Sequence, residues 1–100
     1  MPYVYQIHKQ DGVYFLTLTI VGWVDLFVRD RYEQIVVDSL NYCTTNKGLL
    51  VFAYVIMPSH LHMIVSSNNN DLSNVIASFK KFTSRKLTRT IKSEGESRQD

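Results

Sequence analysis

Two of the chain's three histidines, His60 and His62, stand two residues apart in the run YVIMPSHLHMIV, residues 54–65. In an extended strand, successive side chains point to opposite faces, so His60, His62 and Ile64 share one face and Leu61, Met63 and Val65 share the other. The Cα atoms of residues i and i+2 lie about 6.5–7 Å apart. Imidazoles converging from that spacing can hold one divalent ion at about 2.0–2.1 Å per nitrogen, on the zinc scale, and neutral imidazole is the commonest metal ligand. Two ligands do not complete a site. A third, normally a carboxylate, an amide or another histidine, must come from elsewhere. The plainer alternative is a chance His-x-His pair whose rings are solvated or hydrogen-bonded.

A second cluster is cationic. Lys80, Lys81, Arg85, Lys86, Arg89 and Lys92 fall between positions 80 and 92 with no acidic residue among them, although the net charge of the whole chain is only +2. A localised basic stretch in a near-neutral protein is a candidate polyanion footprint. On a helical wheel, Leu72, Val75, Ile76, Phe79 and Phe82 form an apolar arc. Lys81, Arg85 and Lys92 lie nearly opposite, Arg89 on the flank, and Lys86 and Lys80 near the arc's two edges. Thr83, Ser84 and Thr88 add hydroxyls suited to phosphate oxygens. The alternative is a solvated helix face, but the missing acidic partners remove the i,i+4 salt-bridge explanation for it.

The elements that must position these groups follow from periodicity. Asp11-Gly12 signals a turn. VYFLTLTIVGW alternates and is rich in β-branched and aromatic residues, which predicts a strand ended or bent at Gly22. From Arg31 to about Asn46 the period becomes helical, with Tyr32, Ile35, Val36, Leu40 and Cys43 on one stripe. Asp30 and Glu33 resemble a capping box, and Lys47-Gly48 supplies the stop. LLVFAYVIM reads as a strand, Pro58 as a tight connection, and HLHMIVSS as the next strand. Asn70 or Asp71 caps a second helix from Leu72 to about Lys92. The remaining SEGESRQD is polar and reads as a frayed tail.

The order strand, helix, strand, strand, helix is α+β, five-sixths of a ferredoxin-like βαββα(β) sandwich. It implies an antiparallel or mixed sheet with two helices on one face, a crossover setting the first strand parallel to a later neighbour, and a last strand missing or supplied elsewhere. One domain spans residues 1–100, with a core of about 12–92 and a flexible tail over 93–100. No apolar stretch is long enough to cross a membrane, no secretory signal is visible, and the single cysteine, Cys43, cannot form an internal disulfide. A cytoplasmic setting is the expectation. Cys43 reads as packed rather than reactive, His8 as a loop residue, and Trp23 as an anchor of the turn after the first strand.

The segment Val55-Ile56-Met57-Pro58-Ser59-His60-Leu61-His62-Met63-Ile64-Val65 resembles the signature of the single-tyrosine HUH transposases, which include the REP-associated tyrosine transposases. That signature is an apolar strand, Met-Pro or Met-Thr, a small polar residue, and His-hydrophobic-His. Ser59 stands where the family usually has Asn. DGVYFLTLTIVGWVDLF is similar to the first strand of a bacterial branch, and DLSNVIASFKKFTSRKL to the helix after the histidines. The resemblance implies an enzyme that cuts and rejoins single-stranded or hairpin DNA through a covalent 5′-phosphotyrosine. It also implies Mg²⁺ or Mn²⁺ held by His60 and His62, and binding of DNA by Lys81, Arg85, Lys86, Arg89 and Lys92. Hard Mg²⁺ prefers oxygen, so two imidazoles suit Mn²⁺ better. A cation there offsets charge on the phosphoryl oxygens, and a covalent intermediate conserves bond energy for rejoining.

In the family the nucleophilic tyrosine and the third ligand follow the second helix. None of Tyr3, Tyr5, Tyr14, Tyr32, Tyr42 and Tyr54 stands in that position, so no catalytic residue is assigned, and the chain reads as truncated before that tyrosine. A relic or a non-catalytic nucleic-acid-binding module on the same fold is the alternative function. Open sheet edges also make a homodimer an expectation.

Overall fold

The computed structural model describes residue 7, residues 9–19 and residues 30–97, with side chains to residue 93. Gly22, and the residues Tyr3, Tyr5, His8 and Trp23 singled out above, lie outside the described residues. The elements are β1 (Tyr14–Thr19), α1 (Asp30–Asn46), β2 (Leu49–Met57), β3 (His60–Ser67) and α2 (Leu72–Ser97).

The sheet order is β1-β3-β2, and both pairings are antiparallel. The crossover through α1 makes β1 and β2 parallel, but β3 is inserted between them. The parallel neighbour expected for β1 is therefore replaced by an antiparallel one. The insertion follows from the tight Pro58-Ser59 connection, which obliges β3 to pair back along β2. Among the described strands β1 and β2 are the outer ones. A register shift between Val51 and Ala53 marks a bulge at Phe52 in β2.

Alternation decides which side of the sheet is covered. Leu61, Met63 and Val65 of β3 are buried together with Leu16 of β1 and Leu49 of β2, against the helices. In α1 the buried stripe is Tyr32, Ile35, Val36, Ser39, Leu40 and Cys43, the i, i+3, i+4, i+7 pattern of one helix face. Cys43 is buried, and burial pushes its thiol pKa up while Lys47 opposes the shift. It is a packed side chain, as expected of a thiol on an apolar stripe.

Gly48 ends α1 with φ +75°, in the left-handed region that glycine enters without penalty. The Lys47 amide donates to the Cys43 carbonyl at 2.9 Å, closing the last turn, and the Asn68 amide donates to the Gly48 carbonyl at 3.0 Å. A Cβ at position 48 would collide with the side chains of Asn68 and Asn69. The turn before β1 closes by the Gly12 amide donating to the Lys9 carbonyl at 3.0 Å. Gln10 then reaches to α2, its Oε1 accepting from the Ser73 amide at 2.7 Å. Asp71 precedes α2 and accepts from Asn74 Nδ2 at 2.7 Å. The Gln10 contact satisfies one of the backbone amides that a helix N-terminus leaves orphaned.

α2 differs from its wheel in two ways. It continues as helix to Ser97 rather than ending at Lys92, because the polar residues there are compatible with helix. Its buried line is Leu72, Val75, Ile76, Phe79, Thr83 and Leu87, whereas Phe82 is 45% exposed. Phe82 leaves the arc because Tyr42 of α1 meets it outside, the rings stacking at 5.3 Å. Thr83 is thus a core position and not a phosphate donor, and its Oγ1 is buried with no hydrogen-bond partner. A buried hydroxyl without a partner costs about 1–3 kcal/mol, and valine matches threonine in helix propensity. Thr83→Val is therefore expected to stabilise the protein by about 1 kcal/mol, read as an upward shift of the urea midpoint at constant slope.

Candidate metal and nucleic-acid site

The face of the sheet opposite the helices carries the histidines. The register sets Thr19 against His60, Thr17 against His62 and Phe15 against Ile64 on one side. On the other, Met57 lies against His60, Val55 against His62 and Ala53 against Ile64. No helix covers this face among the described residues, so Phe15, Val55, Met57 and Ile64 are exposed around two half-buried imidazoles. A contiguous exposed apolar rim of this kind marks a surface that something else contacts.

The two rings stand nearly parallel, 8° apart in plane, with centroids 5.9 Å apart. His60 Nδ1 lies 3.0 Å from Ser59 Oγ, and His62 Nδ1 lies 3.1 Å from Thr17 Oγ1. The edge of one ring meets the face of the other where Phe15 packs on His62, at 5.9 Å and 90°. One ion bound at about 2.1 Å by a nitrogen of each ring requires those nitrogens within about 4.2 Å of one another. Among the described residues no group of three or more histidine, cysteine, aspartate or glutamate side chains comes together. The donor set therefore fits an ion in part: it supplies two nitrogens and leaves the other positions to water, substrate or further ligands.

None of the four described tyrosines shares the histidine face. Tyr14 pairs with Val65, and Tyr54 with Met63, both partners buried on the covered side. The Tyr14 hydroxyl accepts from the Lys9 amide at 3.1 Å, Tyr32 is buried, and Tyr42 stacks on Phe82.

The expected DNA-contacting residues Lys81, Arg85, Lys86, Arg89 and Lys92 are all exposed. Arg85, Arg89 and Lys92 line one shallow open groove along α2 with Ser84 and Thr88, while Lys81 and Lys86 lie off it. No acidic residue stands within four positions of Lys81, Arg85, Lys86 or Arg89; Glu96 follows Lys92 at i+4. The groove lies on the side of α2 away from its buried line. None of its lining residues is a β3 residue, so the groove and the histidine pair are separate clusters. Sequence reasoning missed the hydroxyls of Thr17 and Ser59, and the exposed rim of Phe15 and Val55. Strand alternation signals which face each occupies, but not which side chain stands beside which.

The described elements form an α+β layer with two imidazoles on the sheet face that the helices leave bare. A family model described as "Transposase IS200 like" matches residues 24–99, and the chain belongs to that family. Among solved structures, a REP-associated tyrosine transposase bound to a REP hairpin superimposes with a TM-score of 0.69 at 18% identity. The match covers 88% of this chain and 54% of that one, so the chain spans about half the length of that structure's chain, and the likeness is one of fold. No curated protein matches the chain. Among the described residues no helix is long and apolar enough to cross a membrane.

Proposed function

We propose that the chain is a DNA-handling domain of the single-tyrosine HUH type, binding single-stranded or hairpin DNA. His60 and His62 would hold Mg²⁺ or Mn²⁺ at the phosphate to be cut, and the complete protein would cleave and rejoin DNA through a 5′-phosphotyrosine. The observation that carries this reading is the pair of near-parallel imidazoles, 5.9 Å apart on the uncovered sheet face, in a member of the IS200-like transposase family. A bound divalent ion would offset charge on the scissile phosphoryl group and orient it. The residues of the chain contribute the rest. His60 and His62 fix a position on the sheet, and the exposed Phe15 beside His62 offers a ring on which an unpaired base can stack. The cations of α2 neutralise backbone phosphates without reading sequence. The hairpin-bound state of the matched structure supports hairpin DNA as the partner. The outer strands β1 and β2 leave room for a second copy to add to the sheet.

Binding of a fluorescently labelled single-stranded hairpin, followed by anisotropy, tests the reading. If all five cations from Lys81 to Lys92 meet phosphates, log K falls against log salt with a slope of about −3.5, at about −0.7 per phosphate on single strands. Arg85→Ala then weakens binding to unrelated sequences alike and flattens the slope by about 0.7. Mn²⁺ should tighten binding for the wild type and not for His60→Ala. A hairpin that does not bind at low salt contradicts the proposal.

A second reading is favoured by a specific observation: the described residues hold two metal ligands rather than three, and no tyrosine on the same face. That is what a non-catalytic nucleic-acid-binding module on this fold would look like. Its mark is hairpin binding that neither EDTA nor His60→Ala changes.

A further inference from the structure

Both histidines make their ring hydrogen bond through the same atom. His62 reaches Thr17 through Nδ1 at 3.1 Å, across the β1–β3 pairing that sets the two residues opposite each other. His60 reaches Ser59 through Nδ1 at 3.0 Å, from the connection that precedes β3. A neutral imidazole has one N–H and one lone pair. A ring that ligates an ion through one nitrogen donates the other N–H to an oxygen, and that oxygen sets ring orientation and tautomer. With Nδ1 taken up by a hydroxyl on each ring, Nε2 is the nitrogen left for a ligand on the open face. Flipping either ring would put carbon where the hydroxyl now finds nitrogen, and Phe15 against His62 restricts that rotation further.

We propose that Thr17 and Ser59 are positioning residues, whose hydroxyls accept the Nδ1–H of His62 and His60 and so present both Nε2 atoms to one divalent cation. This rests on the reading of His60 and His62 as metal ligands. Neither hydroxyl touches the ion. Each acts by holding one ring in one tautomer, and one comes from β1 and the other from the β2–β3 connection, so each can be removed separately.

The test uses the full chain, with Mn²⁺ affinity from electron paramagnetic resonance and the ligating nitrogens from long-range ¹H–¹⁵N correlation of the Zn²⁺-loaded protein. In the wild type both rings should ligate through Nε2 with Nδ1 protonated. Thr17→Val keeps the β-branched shape that suits a strand but removes the hydroxyl. It should weaken Mn²⁺ binding about tenfold, the lower end of the range for outer-shell partners of ligating histidines, and leave His62 a mixture of ligating nitrogens. Ser59→Ala should do the same at His60, and Thr17→Ser should restore both readouts. An unchanged amide spectrum in each variant excludes a merely structural effect. Ligation through Nδ1 in the wild type, or Thr17→Val and Ser59→Ala binding as tightly as the wild type, overturns the assignment. A wild type that binds neither ion overturns the metal reading itself and this role with it; the two failures are told apart by the wild-type titration alone.

Discussion

His60→Ala and His62→Ala should each lower divalent-ion affinity more than about 100-fold, because even the outer-shell partners of ligating histidines are worth about 10–100-fold. Isothermal titration with Mn²⁺ checks this. The same substitutions should cost little stability. Both rings are half-buried on the uncovered face, and each has one hydrogen bond to a neutral hydroxyl, a net loss of about 0.5–1.5 kcal/mol. Large loss of ion binding with small loss of stability separates a site from a structural pair. Leu61, between them, behaves oppositely: it is buried among the helices and contributes to the core rather than to the face.

Phe79→Ala should produce the largest stability loss. Phe79 is 1% exposed at the centre of the α2 buried line, and truncating a core phenylalanine costs about 3–5 kcal/mol. Against a total of about 5–15 kcal/mol for a domain, that removes a large fraction of the stability. The melting temperature should drop at least about 12 °C, at about 4–8 °C per kcal/mol for a domain of this size. Phe82→Ala, three residues on, should cost less, because Phe82 is 45% exposed and its aromatic pair with Tyr42 adds only about 0.5–1.5 kcal/mol to what its buried part contributes. Equal losses from the two would mean that α2 is rotated from the orientation described.

That contrast also shows where local pattern stops being informative. The alternation in HLHMIVSS places His60 and His62 on one face and Leu61, Met63 and Val65 on the other, because the strand period of two depends on nothing outside the strand. The stripe of α1 was equally legible. For α2 the apolar types pointed to Phe82, yet Thr83 and Leu87 are buried instead. The wheel counts residues at their ideal angle, whereas the buried line is set by where α1 lies, and Tyr42 draws Phe82 to the outside. The position of β3 between β1 and β2 follows from pairing between segments distant in the chain, and so do the Thr17–His62 contact and the bulge at Phe52. The end of α2 was missed because no apolar residue follows Ile91 to mark it. The basic cluster was legible as charge, but not which of its members line one groove.

The central claim is that one divalent ion sits between His60 and His62 on the bare side of the sheet. Substoichiometric Mn²⁺ added to ¹⁵N-labelled protein reports the ion's position directly through paramagnetic broadening. The account predicts that amide signals of Thr17, Val55, Met57, His60 and His62 vanish first, while those of α1 persist. Broadening that begins instead at the carboxylates of α1, around Asp30, Glu33 and Asp38, would contradict it.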